Sequence, residues 1–432
     1  MLEIGYEIAG DRIEEAIYAL SKVERQKKVG ALRDEVEAAI KERHPEATDF
    51  DVEQVFEYIQ KKAFRISIME KDKRADGRAL KQLRPLTAEV NVLPPVVHGS
   101  AMFARGETMS LCLATLAPME ERQYMDNYTG SVNEKRFILL YNFPPFSVGD
   151  TGRFGGQNRR EIGHGALAER SIAPVVPGEQ EFPYAIRVSS EIMESNGSTS
   201  MASVCAGTMS LLAAGVPLKR PVAGISVGLV TEQNDQHEIT SYKTLLDIIG
   251  SEDFYGDMDF KLCGTSEGVT GYQLDLKLPG IPLSILEEAI HVAKAGRTDV
   301  LKVMNDAIAA PAQMGPNATR LETTNNHADR IGELIGPGGK NIKAIQAESG
   351  ADINIEEDGT VHIYAAKQEG LDRALELVTR MFKTIEIGEL YTGKIVSTTT
   401  FGAFMEVLPG KDGLIHISEL AEGRTAKTED VV

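Results

Sequence analysis

The sequence predicts an α/β (α+β) multidomain protein, in which a helical bundle precedes a large mixed core and two small C-terminal domains. Apolar residues recur at helical spacing over about the first 70 residues. From about Lys73 onward, strand-like alternating runs are interspersed with apolar helical runs, which is typical of a mixed α/β core. The length of 432 residues also indicates several domains.

Composition limits the kinds of binding site and the compartment. The formal net charge is −18, so any nucleic-acid site must be a local basic island on an acidic body. Cys112, Cys205 and Cys263 lie in apolar stretches without C-x-x-C spacing, which predicts buried thiols in a reducing compartment. No basic segment followed by an apolar run starts at Met1, and no long uncharged apolar segment follows, so neither secretion nor membrane spanning is expected.

Residues 1–72 are predicted to form the helical bundle. Apolar residues recur at helical spacing in three runs, at residues 13–23, 32–40 and 52–59. Asp49 or Asp51 is the predicted cap of the third helix. The charges between the apolar residues are mixed in sign, which favours a solvated bundle over a nucleic-acid surface.

Residues 73–310 are predicted to form one large α/β core. Strand-like runs occupy residues 87–93, 186–190 and 225–230, and apolar helices follow at 201–214 and 284–295. Ser284 is the predicted cap of the second of these helices. Residues 311–326 are polar and interrupted by proline, which predicts a linker.

A pair of arginines is the first candidate site within this core. Arg159 and Arg160 follow the glycine-rich loop 152–156, and the guanidinium fork matches phosphate oxygens bidentately. The alternative is that two neighbouring arginines are solvated surface. His164 lies close by, and a structural imidazole is favoured over a catalytic one.

A serine-rich turn is the second candidate site. Ser198, Thr199 and Ser200 precede an apolar helix, where hydroxyl groups, backbone N–H groups and the positive end of the helix dipole coincide. An ordinary serine N-cap is the alternative, although it accounts for one hydroxyl rather than three.

An acidic strand is the third candidate site. If residues 253–261 include a strand, Asp257, Asp259 and Lys261 share one face. Two carboxylates on one face suit a hard divalent cation such as Mg²⁺, which typically takes one or two carboxylates plus substrate phosphates. An exposed strand edge with scattered charge is the alternative. Taken together, the three candidates indicate phosphoryl transfer.

Residues 327–385 resemble a KH domain, which clamps single-stranded nucleic acid by its backbone. The glycine turn comprises Gly336, Pro337, Gly338, Gly339 and Lys340, and its glycines let the main chain approach phosphates. A helical approach from residue 329 precedes the turn, a helix ending at Gly350 follows it, and two alternating runs flank residues 358–359 like a hairpin.

Residues 387–432 are predicted to form an OB-type barrel. Three short glycine-broken strands are visible, although such a barrel needs five. Phe401, Phe404 and His416 could form a platform on which bases stack, and the alternative is that the two phenylalanines are core.

These segments together resemble the polynucleotide phosphorylase family. Residues 74–78, 98–101, 105–108, 141–145 and 256–261, with the arginine pair and the serine turn, are similar to the second ribonuclease-PH-type core of that family. The helical bundle, the KH domain and the barrel stand in that family's order, so the resemblance covers essentially the whole chain.

The resemblance implies 3′-to-5′ phosphorolytic degradation of single-stranded RNA in mRNA turnover, with release of nucleoside diphosphates. It implies Mg²⁺, with Mn²⁺ as an alternative, inorganic phosphate as co-substrate, a ring-shaped homotrimer, contact with other RNA-decay proteins and a cytoplasmic location. It assigns phosphate binding to Arg159, Arg160, Ser198, Thr199 and Ser200. It assigns catalysis to Asp253, Asp259 and Lys261, with Asp253 and Asp259 as metal ligands.

Three points depart from the family pattern or conflict with it. The family usually has serine at the position of Thr199, and the hydroxyl is retained. Strand alternation pairs Asp257 with Asp259, whereas the resemblance pairs Asp253 with Asp259. The chain starts within the helices and its barrel is short, so we expect a fragment or a protein whose first core lies on another chain. A non-catalytic RNA-binding scaffold and a hydrolytic exonuclease are therefore the alternatives.

Overall fold

The computed structural model describes residues 1–19, 21–126, 132–153, 155–325, 330–356, 358–383, 385–408, 411–421 and 427–431. The chain divides into two compact units, Met1–Ala318 and Thr319–Val432. Helices and sheets occur in both units, and the predicted mixed α/β multidomain class is confirmed.

The first unit begins with the predicted helical bundle, made of α1 (Leu2–Ile17), α2 (Lys22–Arg43) and α3 (Asp49–Lys71). Its buried apolar cluster also contains Leu245 and Tyr255 from the following core, so the bundle packs directly on that core. Burial of one continuous apolar surface therefore joins the two parts of this unit.

Two local predictions in the bundle were wrong. The run at residues 13–23 is not one helix, because α1 ends at Ile17 and Val23 lies exposed on α2; Leu20 lies outside the described residues. The cap of α3 is Thr48, whose hydroxyl accepts the N–H of Asp51. The Asp51 carboxylate in turn accepts the N–H of Thr48, so this acidic residue completes a capping box.

Two sheets form the framework of the core. The first contains β1 (Leu86–Val90), β2 (Gly99–Arg105), β3 (Met109–Ala117), β6 (Phe137–Asn142) and β7 (Ala185–Glu194), with β4 (Gln123–Asp126) and β5 (Val132–Lys135) forming a separate hairpin. Its order is β1-β2-β3-β7-β6, and the β6–β7 pair is parallel. The second contains β8 (Ala223–Gln233), β9 (Ile239–Leu246), β10 (Met258–Gly264) and β11 (Val269–Leu276), in the antiparallel order β11-β10-β8-β9.

Helices of the core bring the candidate residues to one place. They are α4 (Arg159–Ile172), α5 (Thr199–Ala213), α6 (Gly250–Tyr255) and α7 (Leu283–Ala307). Every residue of α5 is buried, and α5 contacts strands of both sheets, so it lies between them. The cap of α7 is Pro282 rather than the predicted Ser284. The three cysteines are buried and unpaired, as predicted.

The second unit contains the predicted KH elements. They are β12 (Arg320–Asn325), α8 (Ile331–Ile335), α9 (Lys340–Ser349), β13 (Asp352–Ile355), β14 (Thr360–Ala365) and α10 (Gln368–Phe382), and the sheet order is β12-β14-β13. The predicted hairpin at 358–359 is present. The predicted linker 311–326 is partly wrong, because residues 320–325 are an edge strand of this sheet; residue 326 and the start of the predicted helical approach at residue 329 lie outside the described residues.

The last segment contains β15 (Ile395–Thr399), β16 (Gly402–Leu408) and β17 (Lys411–His416), which form an antiparallel sheet. These match the three strands visible in the sequence. Gly402 permits the close approach of β17, because a Cβ atom on it would meet the carbonyl oxygen of Ile415.

Candidate functional site

A cleft of about 830 Å³ in the first unit gathers most of the predicted core residues. Arg160, the serine turn (Ser198, Thr199, Ser200), Asp253, Asp259 and Lys261 all line it. Arg159 is described but does not line the cleft. Three candidates that are far apart in sequence therefore share one surface.

The serine turn forms the start of α5 and has the features of an anion site. Gly197 and Ser198 both have positive φ, +89° and +60°, and a Cβ on Gly197 would lie 2.8 Å from the nitrogen of Gly250. A non-glycine residue in this conformation stores backbone strain, as is common at functional sites. The Ser200 hydroxyl is buried and has no hydrogen-bond partner among the described residues. Together with the free N–H groups of the first helical turn, it can bind an oxyanion.

The other two hydroxyls of the turn are already oriented. Ser198 Oγ lies 2.6 Å from Ser226 Oγ, and Thr199 Oγ1 lies 2.6 Å from the hydroxyl of Tyr141. Contacts from β8 and β6 therefore fix both side chains. The hydroxyl of Thr199 is held by its contact with Tyr141.

A buried charge network supports the turn from behind, and the sequence reasoning missed it. Arg84 donates to the carbonyl of Asn196 at 3.1 Å and to Asp247 Oδ1 at 2.7 Å. Arg105 donates to the same Asp247 oxygen at 3.2 Å. Burial raises the pKa of Asp247, but Arg84 and Arg105 lower it more strongly, so the carboxylate stays ionised. Because Arg84 and Asp247 are 163 positions apart, no local pattern could have paired them.

A second buried pair positions Asp253. Glu252, its neighbour on α6, accepts hydrogen bonds from Arg74 at 2.7 and 2.5 Å, and both side chains are fully buried. Glu252 also accepts the N–H of Ile249, which closes the first turn of α6. Arg74 belongs to the motif at 74–78, to which the sequence assigned no role.

The acidic strand presents one carboxylate, that of Asp259, to the cleft. Asp259 and Lys261 on β10 form an ion pair of 3.0 Å, and Asp259 Oδ1 is buried without a hydrogen-bond partner among the described residues. Burial raises the pKa of Asp259; Asp253 and Asp275 add to this, whereas Lys261 opposes it. A buried carboxylate oxygen without a partner, close to a second carboxylate, suits a hard cation.

The donor set for a metal ion is small. Among the described residues, no group of three or more His, Cys, Asp or Glu side chains converges as a metal cluster. Mg²⁺ typically binds through one or two carboxylates and completes its shell with water and substrate phosphates, so Asp253 and Asp259 fit that ion.

Asp257 does not belong to the site, and the pairing that strand alternation suggested is wrong. Both of its carboxylate oxygens accept hydrogen bonds from Arg65 at 2.8 Å. The N–H and hydroxyl of Thr231 also donate to Asp257. The carboxylate is thus fully occupied by α3 and β8.

The two arginines at the start of α4 differ in their environment, because Arg160 lines the cleft and Arg159 does not. The Arg160 guanidinium lies 5.6 Å from the ring centre of Phe143, and both residues line the cleft. His164, one turn further along, lies 3.3 Å from the hydroxyl of Tyr141. Burial, Lys261 and Arg160 lower the pKa of His164 to about 4, so this imidazole is neutral near pH 7. This favours the structural role predicted for it over a catalytic one.

The helical bundle supplies part of the cleft wall, which the sequence did not indicate. Lys22, Arg25, Gln26 and Gln60 line the cleft. Lys22 Nζ donates to the carbonyl of Ser195 at 2.8 Å, just before the serine turn. Mixed charge along a helix predicts a solvated face and carries no information about which residues meet another domain.

The glycine turn at 336–340 has a backbone conformation that favours glycine. Gly336, Gly338 and Gly339 have positive φ, and a Cβ on Gly338 would point into open space. Pro337, Gly338 and Lys340 are exposed, and α9 starts at Lys340. Backbone, a positive side chain and a helix N-terminus are therefore presented together.

The aromatic residues of the barrel segment lie close together. The rings of Phe401 and Phe404 are 6.4 Å apart at an interplanar angle of 84°. His416 is exposed and lies opposite Gly402, the neighbour of Phe401. Phe401 is 49% exposed, so the alternative that both phenylalanines are core does not hold for this residue.

Comparison with protein families identifies four consecutive segments. Residues 4–79 match the polyribonucleotide nucleotidyltransferase RNA binding domain, and residues 82–217 match domain 1 of the 3′ exoribonuclease family. Residues 322–380 match the KH domain, and residues 384–432 match the S1 RNA binding domain.

Curated relatives match the whole chain. The polyribonucleotide nucleotidyltransferase of Akkermansia muciniphila is 98% identical over 432 residues, which is 100% of this chain and 60% of the relative. The corresponding proteins of Methylacidiphilum infernorum and Opitutus terrae are 50% and 49% identical; they cover 99% and 98% of this chain, which covers 60% of each. The chain therefore spans about 60% of the length of these relatives.

No helix in the described part of the chain is both long and apolar enough to cross a membrane.

Proposed function

Because the chain belongs to the polyribonucleotide nucleotidyltransferase family, we propose that it degrades single-stranded RNA from the 3′ end by phosphorolysis and releases nucleoside diphosphates. One observation carries the proposal. A strained serine turn, Arg160 and the Asp259–Lys261 pair line the same cleft, and the buried hydroxyl of Ser200 in that turn has no hydrogen-bond partner in the described part of the chain. Anion binding and carboxylates for a cation are the parts that phosphoryl transfer needs.

Inorganic phosphate is held at the serine turn. Backbone N–H groups at the start of α5, the free hydroxyl of Ser200 and the Arg160 guanidinium supply its hydrogen bonds. Arg159, which is exposed at the start of α4, contributes only long-range attraction for the phosphate.

An oxygen of the bound hydrogen phosphate attacks the phosphorus of the last phosphodiester in line, and no protein nucleophile takes part. The bond from that phosphorus to the 3′ oxygen of the preceding nucleotide breaks, and this oxygen leaves as a hydroxyl with the proton that hydrogen phosphate brings. Lys261 offsets the negative charge that develops, from within a largely buried setting where electrostatic interactions are strong. Asp253 and Asp259 would hold Mg²⁺, or Mn²⁺, which when bound neutralises charge on the phosphate oxygens. His164 is neutral and orients Tyr141 rather than moving a proton.

The second unit holds the RNA upstream of the reacting end. The KH turn (336–340) contacts the RNA backbone, and Phe401, Phe404 and His416 stack on bases. In vivo we infer a role in mRNA turnover in the cytoplasm, as a ring-shaped homotrimer that works with other RNA-decay proteins. The compartment, the oligomeric state and the partners are inferred from family membership alone. They concern the whole protein, of which this chain covers about 60%.

Incubation with oligoadenylate, Mg²⁺ and phosphate tests the proposal against its alternatives. Release of ADP that requires phosphate supports phosphorolysis. AMP would indicate a hydrolytic exonuclease, and binding without either product would indicate an RNA-binding scaffold.

A further inference from the structure

One aromatic side chain in the cleft, that of Phe254, is exposed and has no role in the proposed mechanism. Among the described phenylalanine and tyrosine residues, Phe143, Phe254 and Tyr255 line the cleft. Phe143 is engaged, because Tyr141 stacks beside it and Arg160 lies over its ring. Tyr255 is buried in the cluster that joins bundle and core. Phe254, in contrast, is 58% exposed, so its ring is available to a ligand.

Neighbouring residues hold both the backbone and the ring of Phe254. Its carbonyl accepts a hydrogen bond from Lys277 Nζ at 2.9 Å, and the carbonyl of Asp253 accepts from the same group. Its ring meets Tyr255 edge-on, with ring centres 4.9 Å apart at 87°. Tyr255 in turn packs against Phe64 of α3 at 5.6 Å. An exposed ring that costs little further ordering is suited to stacking on a planar ligand.

The position of this ring relative to the chemistry identifies the ligand. Phe254 directly follows Asp253, one of the two carboxylates assigned to the reacting phosphodiester. The bases that flank that phosphodiester belong to the last and the next-to-last nucleotides, and the last nucleotide is the one that the proposed reaction releases. On the premise of the proposed function, we propose that Phe254 stacks on the base of the 3′-terminal nucleotide of the RNA.

Stacking also suits an enzyme that must accept every nucleotide in turn, because each base has a π-face. Hydrogen-bonding groups line the same cleft. Gln60 lines it from α3, four residues before Phe64 and thus on the same helix face. The bundle therefore contributes to this nucleotide subsite through Phe64, which supports Tyr255, and through the amide of Gln60.

A fluorescent base at the 3′ end tests the proposal directly. Oligoadenylate with 2-aminopurine as its last base is bound to the full chain with Mg²⁺ but without phosphate, so that no phosphorolysis occurs. Stacking quenches this fluorophore. We expect quenching with the wild type, a bound signal at least about twofold brighter with Phe254→Leu, and restored quenching with Phe254→Tyr. Tyr58→Ala is the matched control, since Tyr58 is 52% exposed on α3 and does not line this cleft.

Kinetics with phosphate provide the second measurement. Loss of one base stack in Phe254→Leu should raise KM for short oligoadenylate about tenfold, with a smaller change in kcat. Phe254→Leu keeps an apolar side chain at an exposed position, and its thermal unfolding should match the wild type.

The outcomes separate this proposal from the proposed function. Wild-type quenching and KM in Phe254→Leu would overturn the stacking, while ADP release would still support phosphorolysis. Quenching that depends on Phe254 without any ADP release would retain the stacking and reject phosphorolysis. A brighter signal in Phe254→Leu from a 2-aminopurine placed at the 5′ end instead would overturn the assignment to the terminal base.

Discussion

Arg65 and Asp257 form a bidentate ion pair in which both nitrogen–oxygen distances are 2.8 Å. The pair joins α3 of the helical bundle to the residue before β10. Burial raises the pKa of Asp257, but the contacts with Arg65 and Thr231 together lower it by more than burial raises it. The carboxylate is therefore ionised, and its hydrogen bonds are supplied by these two residues. The bundle therefore neutralises Asp257, and Asp259, two residues further on, is the carboxylate that we propose takes part in the reaction.

Asp257→Asn should weaken the joint between bundle and core without stopping the reaction. Removing one partner of a buried pair is strongly destabilising, but Arg65 is partly exposed and can be rehydrated, so we expect a loss of about 1–3 kcal/mol in the free energy of unfolding. The rate of ADP release should stay within about twofold. Urea unfolding and the ADP assay measure the two effects; a collapse in rate with intact stability would return Asp257 to the site.

Asp259→Asn should instead slow the reaction. Loss of this carboxylate should reduce ADP release by about a hundredfold or more, because the cation that Asp259 would hold could no longer offset the charge of the transition state. Affinity for single-stranded RNA should be nearly unchanged, since we propose that most contacts with the RNA backbone lie in the second unit. Single-turnover ADP release and filter binding test this, with Asp257→Asn as the matched control. Wild-type phosphorolysis in Asp259→Asn would exclude Asp259 from the mechanism.

Arg160→Ala and Arg159→Ala should differ, although the two residues are neighbours. Arg160 lines the cleft and Arg159 does not. Loss of one charge-assisted contact costs about 1.5–3 kcal/mol, so Arg160→Ala should raise the phosphate concentration for half-maximal ADP release by about 10- to 100-fold. Arg159→Ala should change it only slightly. Equal phosphate curves for the two variants would contradict the division of the pair.

The neutral state of His164 predicts a pH-dependent stability. Its pKa falls from 6.5 to about 4 on folding, so between these values the unfolded chain binds more protons and stability decreases as the pH falls. His164→Gln should therefore lose less stability than the wild type between pH 7 and pH 5. Urea midpoints at the two pH values measure this. His291→Gln, at an exposed site on α7, should behave like the wild type.

Gly338→Asp combined with Gly339→Asp should impair RNA binding through the KH turn. Both positions have positive φ, and the change adds bulk and negative charge where phosphates approach. Affinity should fall and its salt dependence should flatten, whereas ADP release from a short oligomer at saturating concentration should persist.

Gly350→Asp is the matched control for this double variant. Gly350 also has positive φ and open space around its Cβ position, but it ends α9 rather than starting it. Filter binding across a salt series compares the two. Equal losses in both variants would indicate backbone strain rather than lost phosphate contacts.

Several features of this protein were determined by short stretches of sequence. The glycine turn at 336–340, with the helical runs on either side of it, predicted a KH domain, and residues 322–380 match that domain. The hydroxyl-rich start of α5 predicted an anion site, because a helix N-terminus always carries free N–H groups. Apolar periodicity likewise predicted the bundle and the KH helices, since it depends only on the repeat of one element.

Other features were decided only by tertiary structure. Alternation along an extended chain could not tell Asp257 from Asp259, because the difference lies in Arg65, which is 192 positions away. The same limit applies to Arg159 and Arg160, to the Arg84–Asp247 support and to the exposed ring of Phe254. Local sequence sets the conformation of a segment, whereas packing between distant segments decides which side chains are neutralised, which are buried and which are left facing the cleft.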